Sequence, residues 1–203
     1  MKKVIIDLID ENKIINDFEF DFYNTLKQYS NKPLNISQDI LNIYIDNKVY
    51  EFKKVDKIST TSTFYEHNNL YLMKVPNEHN LVKKELQVYE RLKNYLHFPK
   101  IIQYTNSYII FENVGEMINP HNIPNDALKQ INIICKILQK ERIKHNDIRE
   151  NEVLVKKGFI YLVDFNRAIL DDGNYNQNYN DLYYIVKKYN NLKNLFNKTI
   201  KKF

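Results

Sequence analysis

The chain has 203 residues, 43% hydrophobic and 27% charged, with only 5 Pro and 3 Gly, a globular composition that excludes collagen-like and low-complexity architectures. At this length one domain, or one domain in two lobes, buries roughly 70% of the surface its unfolded chain exposes. Much of the net charge of +5 sits in the C-terminal "VKKYNNLKNLFNKTIKKF", a segment that reads either as a solvated helix or as a grip on an anionic partner such as RNA.

The lone Cys135 has no partner for an internal disulfide, which favours a reducing compartment. Asp7 and Asp10 interrupt the apolar run a signal peptide would need, and no run approaches the roughly 20 apolar residues of a membrane span. A cytoplasmic protein without membrane contact is expected.

Residues 1–38 form an extension of unknown role: "FEFDFY" alternates like a strand and "FYNTLKQY" could be helical. From Ile40 the alternation sharpens. "ILNIYIDNKVYEFKKV" predicts a hairpin turning at Asp46-Asn47, and "STFYEHNNLYLMKV" a second turning at Asn68-Asn69. In "NEHNLVKKELQVYERLKNYL" the positions Val82, Glu85, Tyr89, Leu92 and Leu96 recur at three and four, predicting a helix whose apolar face is broken by Glu85. "YIIFENV" reads as a strand ending at Gly115. "NDALKQINIICKILQKE" predicts a helix capped by Asn125, with Leu128, Ile131, Cys135 and Leu138 on the buried face. Cys135 is thereby expected in the core rather than as a nucleophile. A polar loop, "HNDIRE", precedes a hairpin of "VLV" and "FIYLVDF" turning at Lys157-Gly158, and "NYNDLYYIVKKY" closes the series as a helix.

Two aspartates flank that last hairpin. Asp147 lies in the polar loop beside His145, and Asp164 ends the apolar run Ile160 to Val163, where an ionised carboxylate requires hydrogen bonds, a cation or a metal. Glu85 poses the same problem on its helix, and Lys74, ending "YLMK", is a partner of opposite charge. A lysine for nucleotide phosphates, a glutamate to hold it, one carboxylate for Mg²⁺ and one for the attacking hydroxyl are the parts that phosphoryl transfer uses.

The ordered set "MKV", "KKELQVYERL", "IIFENVGE", "HNDIRENEVLV" and "YLVDFN" resembles the protein-kinase-like fold over roughly Val49 to Tyr189. The resemblance implies an α+β, two-lobed architecture: a kinase-like domain over 39–203, with a sheet-and-helix N-lobe at about 39–113 and a reduced helical C-lobe at about 114–203. It implies that Lys74 contacts the phosphates of ATP and pairs with Glu85, that Asp147 is the catalytic aspartate, and that Arg149 stands where protein kinases place a phosphate-contacting lysine. Asp164 would bind Mg²⁺, or Mn²⁺, and His145 would pack beneath the loop. Glu112 and Val114, in the hinge-like segment, would contact the nucleotide. Asp181 resembles the helix aspartate that ties down the loop backbone, and equally reads as a helix N-cap.

Departures from the pattern bear on activity. The metal-binding asparagine's slot is Glu152, with Asn151 one position early, so either could serve the metal. The phosphate-covering loop lacks glycine and reads "ISTTST", leaving Ser59, Thr60 and Ser62 either as phosphate contacts or as a polar hairpin tip. The short link between Asn166 and Asp181 has no room for a peptide platform. The chain is therefore most similar to compact atypical kinases: the RIO family, the small kinase of the tRNA threonylcarbamoylation complex, and lipopolysaccharide or aminoglycoside-type kinases. Two functions are implied. One is an ATP- and Mg-dependent phosphotransferase acting on a hydroxyl of a protein, small molecule or sugar. The other is a catalytically impaired, kinase-like binding scaffold.

Overall fold

A computed structural model describes residues 6–7, 39–45, 48–55, 61–77 and 79–200. The chain divides into two units, Met1–Lys83 with Ile101–Asn113, and Lys84–Lys100 with Val114–Phe203.

The first unit is built on one antiparallel sheet. Strands β1 (Ile6–Asp7), β2 (Ile40–Ile45), β3 (Lys48–Val55), β4 (Ser62–His67), β5 (Tyr71–Pro76), β6 (Ile101–Tyr104) and β7 (Ile109–Glu112) lie in the order β1-β2-β3-β4-β5-β7-β6. The register sets Ile45 opposite Lys48, so β2 and β3 are joined by the short connection the alternation predicted; its residues Asp46 and Asn47 lie outside the described residues. The β4–β5 hairpin turns through Asn68 and Asn69, both at positive φ (47° and 57°), a conformation that asparagine tolerates better than most residues. One face of the sheet carries Leu41, Ile43, Ile45, Phe52, Tyr65, Met73, Val75, Tyr108 and Ile110 as a continuous buried cluster. Burial pushes the Tyr65 hydroxyl up to about 12. Lys74, between Met73 and Val75 in β5, points to the opposite face by strand periodicity. It is only 2% exposed, with Phe64 and Ile109 as its cross-strand neighbours.

Helix α1 (His79–Leu92) belongs to the first unit as far as Lys83 and to the second from Lys84. Val82, Glu85, Tyr89 and Leu92 are buried as the periodicity required, but Leu96 lies past the helix end and is 57% exposed. The following segment is fastened to the second unit's hairpin: Leu162 N–H donates to the His97 carbonyl (3.0 Å), and His97 Nδ1 donates to the Ile160 carbonyl (2.8 Å).

That unit also holds a three-stranded sheet, β8 (Glu116–Met117) with β10 (Val153–Lys156) and β11 (Phe159–Leu162), and a short pair, β9 (Ile143–Lys144) with β12 (Ile169–Leu170). The β10–β11 turn is Lys157-Gly158, at φ 51° and 81°, matching the two-residue hairpin expected. Helix α2 (Ala127–Lys140) buries Ala127, Gln130, Ile131, Ile134 and Leu138. The expected face is thus turned: Leu128 is 44% exposed and Cys135 only partly buried, although burial still pushes its thiol up to about 12. Gln130 explains the turn. Its amide donates to the Gly158 carbonyl and its oxygen accepts the Ile160 N–H, both at 2.8 Å, so a polar side chain occupies the inner face. Asn125 is not the cap. Asp126 holds that position without a side-chain capping bond, and Asn125 Oδ1 instead accepts from Lys193 (2.8 Å) on helix α3 (Asn176–Ile200). No helix among the described residues is long and apolar enough to cross a membrane.

Candidate active site

The loop between β9 and the 3₁₀ turn Glu150–Glu152 is held from below. His145 is fully buried, its Nε2 donates to the Val163 carbonyl (2.9 Å), and its ring centroid lies 4.6 Å from that of Phe165. The carbonyl acceptor places a proton on Nε2, a structural role rather than that of a base. Asn146 then turns the chain at φ 65°. A left-handed position suits glycine or asparagine, which accounts for the residue type of Asn146.

Asp147 Oδ2 accepts from Arg149 Nη2 (3.1 Å) and pairs with Arg167 Nε (3.6 Å), both guanidinium groups being largely exposed. Arg149 also reaches Glu152. Its Nη2 donates to Glu152 Oε1 (3.2 Å) and its backbone N–H to Oε2 (3.1 Å), while Asn151 Nδ2 donates to Oε1 (2.6 Å). Glu152, 2% exposed, is thus the acidic end of a tight turn whose N–H groups it gathers. Burial raises its carboxyl above the usual range; Arg149 opposes this, and the Asp164 and Asp147 carboxylates add to it. Two further carboxylates therefore stand within electrostatic reach of Glu152.

Asp164 has φ 65°, a left-handed backbone that costs a non-glycine residue about 1–2 kcal/mol. Its neighbours hold it there. The Phe165 N–H donates to Glu85 Oε1 (3.3 Å), and the Phe165 ring meets Tyr89 edge-on at 5.3 Å. The Tyr89 hydroxyl is pushed well above its ordinary value by burial first, then by the Glu85 and Asp164 carboxylates, against a backbone hydrogen bond from Asp164. Helix α1 thereby grips the segment after β11 through two polar side chains.

Of the residues singled out in the sequence, the second unit brings together Glu85, Asp147, Arg149, Asn151, Glu152 and Asp164, and holds Val114 buried. The first unit holds Lys74, Glu112 at the end of β7, and Ser62. Ser62 is the first residue of β4, buried opposite Pro76, rather than part of a loop tip. Ser59 and Thr60 lie outside the described residues.

Asp181 needs correcting. It is neither N-cap nor loop tether: it sits inside α3, accepting from Gln177 Nε2 (2.6 Å). The tether is Asn178, one turn earlier and 1% exposed, whose Oδ1 accepts the His145 N–H (2.9 Å) and whose Nδ2 donates to the Ile143 carbonyl (3.0 Å). Arg167 and Tyr89 were also missed. Only their nearness to "VDF" and to Glu85 marked them in the sequence.

Among the described residues no group of three or more His, Cys, Asp or Glu side chains is assembled to hold a metal ion by itself. The oxygen donors nonetheless suit Mg²⁺, which is commonly held by one or two carboxylates together with nucleotide phosphates. Asp164 would provide one carboxylate. Glu152 would provide another, because a carboxylate has about four acceptor sites and three N–H groups use three of them.

A buried loop histidine, an aspartate two residues on, and a second aspartate at the end of the following hairpin define an α+β kinase-like fold. The chain belongs to the RIO family: the family's domain model matches residues 29–202. RIO domains are atypical kinase domains, so the coarse assignment is to kinase-type, ATP-binding chemistry. A comparison with curated proteins returned no match.

Proposed function

We propose that the protein is a Mg-ATP-dependent phosphotransferase that transfers the γ-phosphate to a hydroxyl acceptor. The observation that carries this reading is that the Asp147 and Asp164 carboxylates both act on Glu152 within one tethered loop system of a chain that belongs to the RIO family. The chain carries Lys74, Glu85, Asp147 and Asp164 in kinase-like order, a set that a surface used only for docking would not require.

In this reading Lys74 engages the nucleotide phosphates and pairs with Glu85, as the resemblance to kinases implies. Glu112 and Val114 line the nucleotide's base. Asp164 and Glu152 would hold Mg²⁺, whose charge would screen the phosphates. Asp147 accepts the proton of the attacking hydroxyl. Arg149 and Arg167, both paired with Asp147, would meet the transferring phosphoryl group in this reading. Asn151 orients Glu152 through its amide.

The test is ATP turnover, as hydrolysis and autophosphorylation, for the wild type and Asp147→Asn. Loss of the proton acceptor is expected to slow turnover by about 10²–10⁴-fold while nucleotide affinity is kept. The occupation of Asp147 by two guanidinium groups favours the second reading, a scaffold. ATP binding without turnover in the wild type, and none restored by Glu152→Asn, would decide for that scaffold.

A further inference from the structure

Next to the loop lies a cavity of about 450 Å³, lined by Arg149 and Glu150 from the loop side, by Asp181 and Tyr184 from α3, and by Ile148 and Ile185. Arg149 connects it to the chemistry, because the same guanidinium bonds Asp147 Oδ2. A molecule resting here lies against the side chain that bonds the proposed proton acceptor.

The charges of the lining select what can rest there. Arg149 is engaged by Asp147 and Glu152. Glu150 is engaged by Lys188 (2.5 Å) and by the Tyr189 hydroxyl (2.5 Å). Asp181 differs: among the described residues it accepts from the Gln177 amide and forms no ion pair. Three positions along the same helix, and so on the same side, Tyr184 is 71% exposed. A carboxylate lacking a counter-cation beside an open aromatic face complements a cation, through a charge-assisted hydrogen bond and a cation–π contact. An anionic acceptor would meet two carboxylates.

We propose that this cavity is the acceptor site and that it takes a hydroxyl compound carrying a cationic group beside its hydroxyl, with Asp181 and Tyr184 as the recognition pair. The proposal rests on the phosphotransferase reading. In the step it serves, the acceptor oxygen bonds to the γ-phosphorus as the bond to the bridging oxygen of ADP breaks. The hydroxyl proton passes to Asp147, and the products are ADP, the phosphoester and a proton.

The experiment uses the full chain and three probes: a serine peptide flanked by arginines, the same peptide flanked by glutamates, and an aminoglycoside as an amino sugar. Binding is followed by calorimetry and phosphate transfer by labelled ATP. The arginine peptide or the amino sugar is expected to bind, and whichever binds identifies the source of the cation. Asp181→Asn and Tyr184→Ala are each expected to weaken binding by about tenfold, with Tyr184→Phe close to wild type. Unchanged thermal midpoints show that the variants fold. Equal affinity for the glutamate peptide, binding of no cationic probe, or indifference to both substitutions would overturn the acceptor site, even with ATP hydrolysis intact. Expected binding with no ATP consumed under any condition would instead overturn the phosphotransferase reading and leave the cation site standing.

Discussion

Asn178 shows what a single side chain contributes to the loop. Its amide is the one group that satisfies both a buried N–H at His145 and a buried carbonyl at Ile143, and aspartate, which accepts but cannot donate, would satisfy only the first. Asn178→Ala is expected to destabilise the protein by about 2–3 kcal/mol, read as a lowered urea midpoint, with Asn178→Asp no better. A midpoint within error of wild type for the alanine variant would remove the tether from the account. Asp164 offers a second case at this scale. Asparagine tolerates its left-handed backbone as aspartate does, whereas alanine adds strain, so Asp164→Asn is the substitution that separates metal binding from folding. The sequence marked Asp164 by its place at the end of an apolar strand, but nothing local marked Asn178, whose partners are 33 and 35 residues away.

Between elements, the same distinction holds for α1, α2 and the β9–β12 pair. Arg91, in the last turn of α1, donates to the Glu141 carbonyl just past α2 (2.9 Å) and pairs with Asp171 (3.1 Å), which also meets Arg142 Nε (3.6 Å). The Arg91 guanidinium, through its hydrogen bond, holds the Asp171 carboxyl below its ordinary 3.8. A depressed folded-state value means that the pair's contribution is complete above the unfolded value of 3.8 and is lost as pH falls through the folded one. The stability difference between wild type and Asp171→Asn is therefore expected to be constant at neutral pH and to shrink below about pH 3.8, by urea unfolding across a pH series. A difference that grew on acidification would refute the sign. Helical periodicity announced α1 and α2 correctly, and chain turns at Asn68-Asn69 and Lys157-Gly158 announced the hairpins. Which stripe of α2 faces inward was not legible, because Gln130 bonds to the backbone of a hairpin distant in sequence and draws its side of the helix in.

For the molecule as a whole, the site's donors set a linkage between metal and nucleotide. Since no group of carboxylates among the described residues is assembled to hold a cation alone, Mg²⁺ without nucleotide is expected to leave the thermal midpoint unchanged. ATP with Mg²⁺ should raise it, and Asp164→Asn should abolish the metal's share. Stabilisation by Mg²⁺ alone, weakened in Glu152→Gln, would show instead that the carboxylates form a free-standing metal site. The basic C-terminal segment also changes meaning at this scale. It continues α3 to Ile200, and two of its lysines are used within the second unit, Lys188 on Glu150 and Lys193 on the Ile123 carbonyl.

The amino-acid sequence by itself determined the hairpins of the first unit, the helices, the paired aspartates around the last hairpin and the kinase-like family, because periodicity, turn residues and motif order are properties of neighbouring positions. Tertiary structure alone decided that Glu152 gathers the N–H groups of its own turn, that Arg167 shares Asp147 with Arg149, and that Asn178 rather than Asp181 anchors the loop. Each of those depends on which buried polar group finds which distant partner. Hydrogen-bond satisfaction in a closed interior settles that only once the chain has folded.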